Sequence, residues 1–212
     1  MNIASVFRFL AYIMLFVALI LLVPVALALY YDEPESLEAF LLTLAIMLVF
    51  SIFCIILTRK QKELRIGARE SMLIVTLTWV IMTAFGALPI YFTDSMRSYA
   101  ACYFEIMSGF TTTGATAMPD IEIQDMSLLF WRNLTNWLGG MGVVVLFIAV
   151  LPIFGVKGTA LVGAESVGPT KSKLTPTIQR TAMSLWSIYI GISMLQVVLL
   201  LFGGLDLFNA FT

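Results

Sequence analysis

The sequence predicts an all-α integral membrane fold, and three observations carry that prediction. Hydrophobic residues make up 60% of the 212 positions and charged residues only 12%, about half the charge of an ordinary soluble domain. Five apolar runs each reach the roughly 20 residues that a helix needs to cross a hydrocarbon core about 30 Å thick. Lysine and arginine gather in alternate connections between those runs, as membrane topology demands.

The first run covers residues 9–30, the second 37–58 and the third 71–92; the fourth covers 128–151 and the fifth 182–202. A sixth stretch, 99–110, is apolar but only about half as long, which suits a re-entrant or interfacial segment better than a span. Within the first run, Ala26-x-Ala28 resembles a signal-peptide cleavage site, but the apolar core is longer than such peptides use, so a retained helix is expected. Arg8 is the one side-chain charge before that core.

One basic connection holds Arg59, Lys60, Lys62, Arg65 and Arg69; the other holds Lys157, Lys171, Lys173 and Arg180. The connections "YDEPES" and "MPDIEIQD" are acidic. The positive-inside rule puts the basic loops and the N-terminus in the cytoplasm of a multi-pass inner-membrane protein. With five spans alternating in this way, the stretch 99–110 enters and leaves on the outer side.

Composition also narrows the function. With no histidine, the chain lacks the commonest general base and metal ligand. Cys54 and Cys102 lie in apolar runs and read as small buried hydrophobes. A net charge of −1 offers no basic surface to nucleic acid. No paired intramembrane aspartates and no nucleophile–base pair are evident, so an enzyme is not expected. "GVKGTALVG" lacks the phosphate-loop pattern.

The short apolar stretch is followed by "TTTGAT", residues 111–116. Taken alone, this is a Thr-rich turn joining two packed helices. Its context favours helix–pore loop–helix: a half-length helix, a polar return and then a full span. Non-helical backbone at membrane depth is tolerated where protein buries it or a water-filled path meets it. Carbonyls of such a strand can replace the hydration shell of a hard cation, as in potassium-channel filters.

At "YFEIMSGFTTTGAT", "FWRNLTNWLGGMGVVVLFIAVLPIFGVKG" and "AESVGPTKSKLTPTIQRTAMSLWSIYI" the chain resembles the membrane subunit of Trk-type potassium uptake systems, in the Trk/Ktr/HKT superfamily. The resemblance covers essentially the whole chain. It implies one pore built from four consecutive helix–pore loop–helix units, each giving one filter strand with a key glycine, and two extra transmembrane helices before the first unit. By that match Thr112, Thr113, Gly114 and Ala115 form the K+-binding filter strand, with Gly114 at the selectivity position; glycine rather than serine there implies K+ over Na+. Thr111, Thr116 and Glu105 are supporting residues. The implied organisation is an N-terminal helix pair over 1–66, the first pore unit over 67–156, and a linker with the start of a second unit over 157–212. The resemblance further implies K+ as the transported ion, no cofactor or transition metal, a homodimer, and a cytoplasmic nucleotide-binding regulatory subunit.

Glu105 is the one acid in the short helix, and two roles are open: bracing the filter from behind, or reaching an aqueous outer vestibule. Arg132, which with Asn133 and Asn136 begins the fourth run, is expected to snorkel to the outer interface rather than contact the filter. Gly139, Gly140 and Gly142 are expected to let helices approach closely rather than to hinge. Trp131, Trp137 and Trp186 read as interface or packing aromatics. Only one filter strand lies within the 212 residues, so the expected state is part of a longer transporter. The alternative is a non-conducting assembly subunit or an inactive truncated fragment.

Overall fold

A computed structural model describes residues 3–59, 68–142 and 175–212. They fall into two compact units, Met1–Gly140 and Met141–Thr212. Helices are the dominant regular structure among the described residues, and these contain no strands.

In the first unit, α1 (Ile3–Tyr30) and α2 (Pro34–Leu57) form an antiparallel hairpin. The α1 face bearing Phe9, Leu10, Ile13, Met14, Val17 and Leu21 is buried, with the three- and four-residue spacing of a helix stripe. It packs on α2, α3 and α6. Pro34 starts α2 at a position where a missing N–H costs nothing. At the other end, Arg8 donates from Nη2 to the Thr58 carbonyl at 2.5 Å and from Nε to Thr58 Oγ1 at 3.2 Å. A cation on the last carbonyls of α2 offsets the negative end of its dipole. That contact also puts Arg8 and the end of α2 on one side of the molecule.

Beyond α3 (Ala68–Gly86), a short α4 (Leu88–Phe92) carries the apolar run on past Pro89. Proline removes a helical hydrogen bond there. Nearby carbonyls find other donors: Tyr99 Oη gives to Ala84 O at 2.7 Å and Trp131 Nε1 to Gly86 O at 2.9 Å. These bonds tie α5 (Tyr99–Phe110) and α6 (Met126–Gly140) to the α3–α4 break. Trp131 is fully buried, so its role is packing.

The second unit contains α7 (Thr175–Phe202), a turn, and α8 (Leu207–Phe211), whose first turn is capped by Asp206 accepting from Asn209 N at 3.3 Å. Among the described residues, four stretches are long and apolar enough to cross a membrane: Ile3–Tyr30, Pro34–Leu57, Met72–Phe92 and Ala182–Phe202. Large exposed apolar side chains on α2 and α7, such as Phe53, Ile56, Ile192 and Leu199, fit helices that meet lipid. Cys54 and Cys102 are buried free thiols.

The run expected as one helix over 128–151 differs. Helix α6 ends at Gly140, and Gly142 takes φ +63. Glycine is a poor helix former and enters the left-handed region freely, so three glycines in four positions end the helix despite its apolar flanks. Residues 143–151 of that run, the Lys157–Lys173 part of the second basic loop and Lys60 to Arg65 of the first lie outside the described residues.

Candidate functional site

Ser98 caps α5, its hydroxyl accepting from Ala101 N at 3.2 Å. At the other end the helix closes with paired backbone bonds, Thr113 N to Ser108 O at 2.9 Å and Thr112 N to Gly109 O at 2.8 Å. This is the 6→1, 5→2 closure in which the residue after the cap turns left-handed. That residue is usually glycine; here it is Thr112, at φ +54. A β-branched residue in this region is strained by about 1–2 kcal/mol, and such strain gathers at functional sites.

The chain then doubles back along α5. Ser108 Oγ donates to Ala115 O at 2.6 Å, engaging one lone pair of that carbonyl. Thr111 Oγ1 donates to Met107 O at 2.7 Å and lies 2.8 Å from Thr113 Oγ1. Residues 111–117 are all exposed, whereas α5 behind them buries Glu105, Ile106, Ser108 and Phe110. Gly114 sits at φ +73, and a Cβ there would meet no atom within 4 Å.

Glu105 holds this segment from behind. It is 2% exposed and accepts from three donors. Thr116 Oγ1 lies 2.9 Å from Oε1 and 3.1 Å from Oε2; Ala117 N donates to Oε2 at 2.7 Å; Arg132 Nε donates to Oε1 at 2.5 Å. The guanidinium is itself mostly shielded, its side chain 21% exposed, and Nη1 gives a further bond to Asn133 Oδ1 at 3.2 Å. A buried carboxylate needs both a counter-charge and donors for its remaining lone pairs, and the chain supplies both. Arg132, expected to snorkel rather than contact the filter, is the counter-charge: its partner lies 27 residues back, on another helix.

Small residues bring α5 and α6 together. A Cβ on Gly109 would run into Thr135 Oγ1, and one on Gly139 would run into the Phe110 carbonyl oxygen. Thr135 and Gly139, one helical turn apart, therefore line the face of α6 that meets the end of α5. Thr135 is buried and turns its hydroxyl onto Arg132 O at 2.6 Å. The expected packing role of the glycine cluster is seen at Gly139; Gly140 ends the helix and Gly142 follows it.

Thr111 to Thr116 and Glu105 are thus gathered in one cluster, with Arg132 added. Sequence reasoning passed over a further contact at the start of α6. Glu33, between α1 and α2, accepts from Met126 N at 2.7 Å, Ser127 N at 3.1 Å and Ser127 Oγ at 2.6 Å. Ser36 Oγ in turn donates to Asp125 Oδ2 at 2.5 Å. The acidic loops carried a topology signal, but nothing local in the chain pairs residues 90 positions apart. Among the described residues no cluster of His, Cys, Asp and Glu could hold a metal.

The profile of the TrkH family, described as a cation transport protein, matches residues 36–205. The chain is 38% identical over 192 residues to the Trk system potassium uptake protein TrkH of Escherichia coli K12, covering 90% of this chain and 39% of that protein. It is 32% identical over 212 residues to TrkH of Vibrio parahaemolyticus, covering 99% of this chain and 43% of that one. The crystal structure of the potassium transporter TrkH from Vibrio parahaemolyticus superposes over 100% of this chain and 42% of its own length, with a TM-score of 0.79 at 29% identity. The chain therefore spans less than half the length of the curated relatives it matches. By its matched residues, the chain belongs to the TrkH family of cation transport proteins.

Proposed function

We propose that this chain supplies one strand of a potassium-selective filter to a Trk-type uptake pore in the cytoplasmic membrane. One observation carries the reading: a buried carboxylate, Glu105, is paired to Arg132 and hydrogen-bonded to Thr116 and Ala117, while the segment 111–117 keeps its other side exposed. A mere connection between helices does not need an ion pair buried behind it. Desolvating two charges is costly, and that cost is understandable where the backbone must be held for a ligand. The carbonyl and hydroxyl oxygens of Thr112, Thr113, Gly114 and Ala115 suit K+ as cargo, because a hard cation takes oxygen ligands. Thr111, bonded to Thr113 and to the end of α5, sets the turn into the strand.

In this reading α5 dips in from the outer face and the basic loops lie in the cytoplasm. Three further strands complete the oxygen rings around the ion. A homodimer and a cytoplasmic nucleotide-binding regulator complete the assembly that the family resemblance implies.

The test is ion uptake by a complete transporter carrying this segment with Gly114→Ser. Within this chain a Cβ at Gly114 meets no atom within 4 Å, so the change leaves the segment's own packing undisturbed. The left-handed φ and the new hydroxyl both act on the strand itself. The preference for K+ over Na+ should fall about tenfold, equivalent to roughly 1.4 kcal/mol. An unchanged preference in a protein that still transports would remove Gly114 from the filter.

A further inference from the structure

We propose that Glu33, in the connection between α1 and α2, is a positioning residue for the filter segment, acting through the first turn of α6. The inference rests on the filter reading above and adds a role for the N-terminal helix pair. The first amides of any helix lack partners within it. At α6 two of them, Met126 N and Ser127 N, are taken by the Glu33 carboxylate, which also accepts from Ser127 Oγ. An anion at a helix N-terminus is favourable for its charge as well as for its hydrogen bonds. The clamp is reciprocal, because Asp125, just before α6, accepts from Ser36 on the first turn of α2. Ser36 and Ser127 are both fully buried.

This clamp sets where α6 starts, and α6 carries the groups that hold the filter segment. Arg132 lies six residues beyond Met126, roughly 9 Å along the axis at 1.5 Å per residue. It meets Glu105, and Glu105 holds Thr116 and Ala117. The links run from the loop of the helix pair to the start of α6, along α6 to Arg132, then by direct contact to Glu105 and the exposed strand. A shift of the first turn of α6 is passed to the strand through a rigid helix and a bidentate carboxylate. The helix pair is thus more than a membrane anchor, because it fixes the register of the helix that braces the filter.

The test compares variants in a complete transporter carrying this segment, reading the K+ over Na+ preference of uptake and the hydrogen exchange of the Met126 and Ser127 amides. Glu33→Ala removes all three acceptor contacts. It should lower the preference about fivefold, the size expected for losing a cap worth about 1 kcal/mol, and speed exchange at both amides. Glu33→Gln keeps one carbonyl oxygen and should fall between the two. Ser36→Ala deletes a single buried hydroxyl and should move both readouts in the same direction; it carries the test if Glu33→Ala fails to assemble. Thr43→Ala is the control. It loosens α2 at a buried hydroxyl that, among the described residues, bonds back to Ala39 O alone, so it should leave the preference unchanged. The proposal is overturned if Glu33→Ala and Ser36→Ala leave the preference intact, or if Thr43→Ala lowers it equally. If Gly114→Ser alters the preference while Glu33→Ala does not, the clamp alone fails; if neither does, the filter reading falls with it.

Discussion

Arg132→Met is expected to destabilise the first unit by about 3 kcal/mol, at the low end of the cost of breaking a buried ion pair by removing one partner. The reason lies in what remains. Glu105 stays buried between Thr116, Ala117 N and the body of α5 with its counter-charge gone. The low end applies because the Arg132 side chain is one-fifth exposed and water can reach part of the vacated space. Glu105→Gln should cost less, since the amide oxygen can still accept from Ala117 N. Glu105→Gln combined with Arg132→Met should recover at least about 1 kcal/mol relative to the sum of the single changes, because groups in one network are not additive. Thermal unfolding of the purified protein in detergent measures all three, and uptake should fall with Arg132→Met by tenfold or more. Strict additivity would mean that the two side chains do not depend on each other.

The second large effect is at Gly139. A methyl group there meets the carbonyl oxygen of Phe110, with Phe110 C at 2.8 Å and Gly109 O at 3.0 Å. All three are backbone atoms at the closing turn of α5, so no side chain can swing away. Helix α6 has to retreat, and overpacking of this kind costs up to about 3 kcal/mol. Phe110 is followed directly by the strained Thr111–Thr112 turn, so the displacement reaches the exposed segment 111–117. Gly139→Ala should therefore abolish uptake as well as lower the unfolding temperature. Gly191→Ala in α7 is the comparison: its Cβ meets nothing within 4 Å, and alanine is the better helix former. It should be neutral or mildly stabilising. Equal losses at the two glycines would show that the effect at Gly139 does not come from the backbone contact with α5.

Helix positions are readable from hydropathy because burial in a membrane is a local property of the chain. The half-length stretch 99–110 is α5 from Tyr99 to Phe110, and the run 182–202 ends α7 at Phe202. Helix α1 begins at Ile3, before the apolar run, because helical residues need not be apolar to continue a helix. The end of α6 is less readable, since residues 141–151 are apolar and only the glycine cluster marks the stop. Pairing across the fold is the least readable of all. The one acid of α5 and the one arginine of α6 are both conspicuous in apolar surroundings, and buried charges at membrane depth tend to find each other. Hydropathy favoured the interface for Arg132 because it weighs each side chain against solvent and lipid and not against a partner. The Glu33 cap is hidden for the same reason: its acceptor and its donors stand 93 and 94 residues apart.

The most direct measurement is the anomalous density of Tl+, a heavy surrogate of similar size to K+, in crystals of the complete transporter. The account predicts density against the oxygens of Thr112, Thr113 and Gly114, with Glu105 and Arg132 paired behind the strand. Ion density confined to other parts of the pore, with residues 111–116 bare, would contradict it.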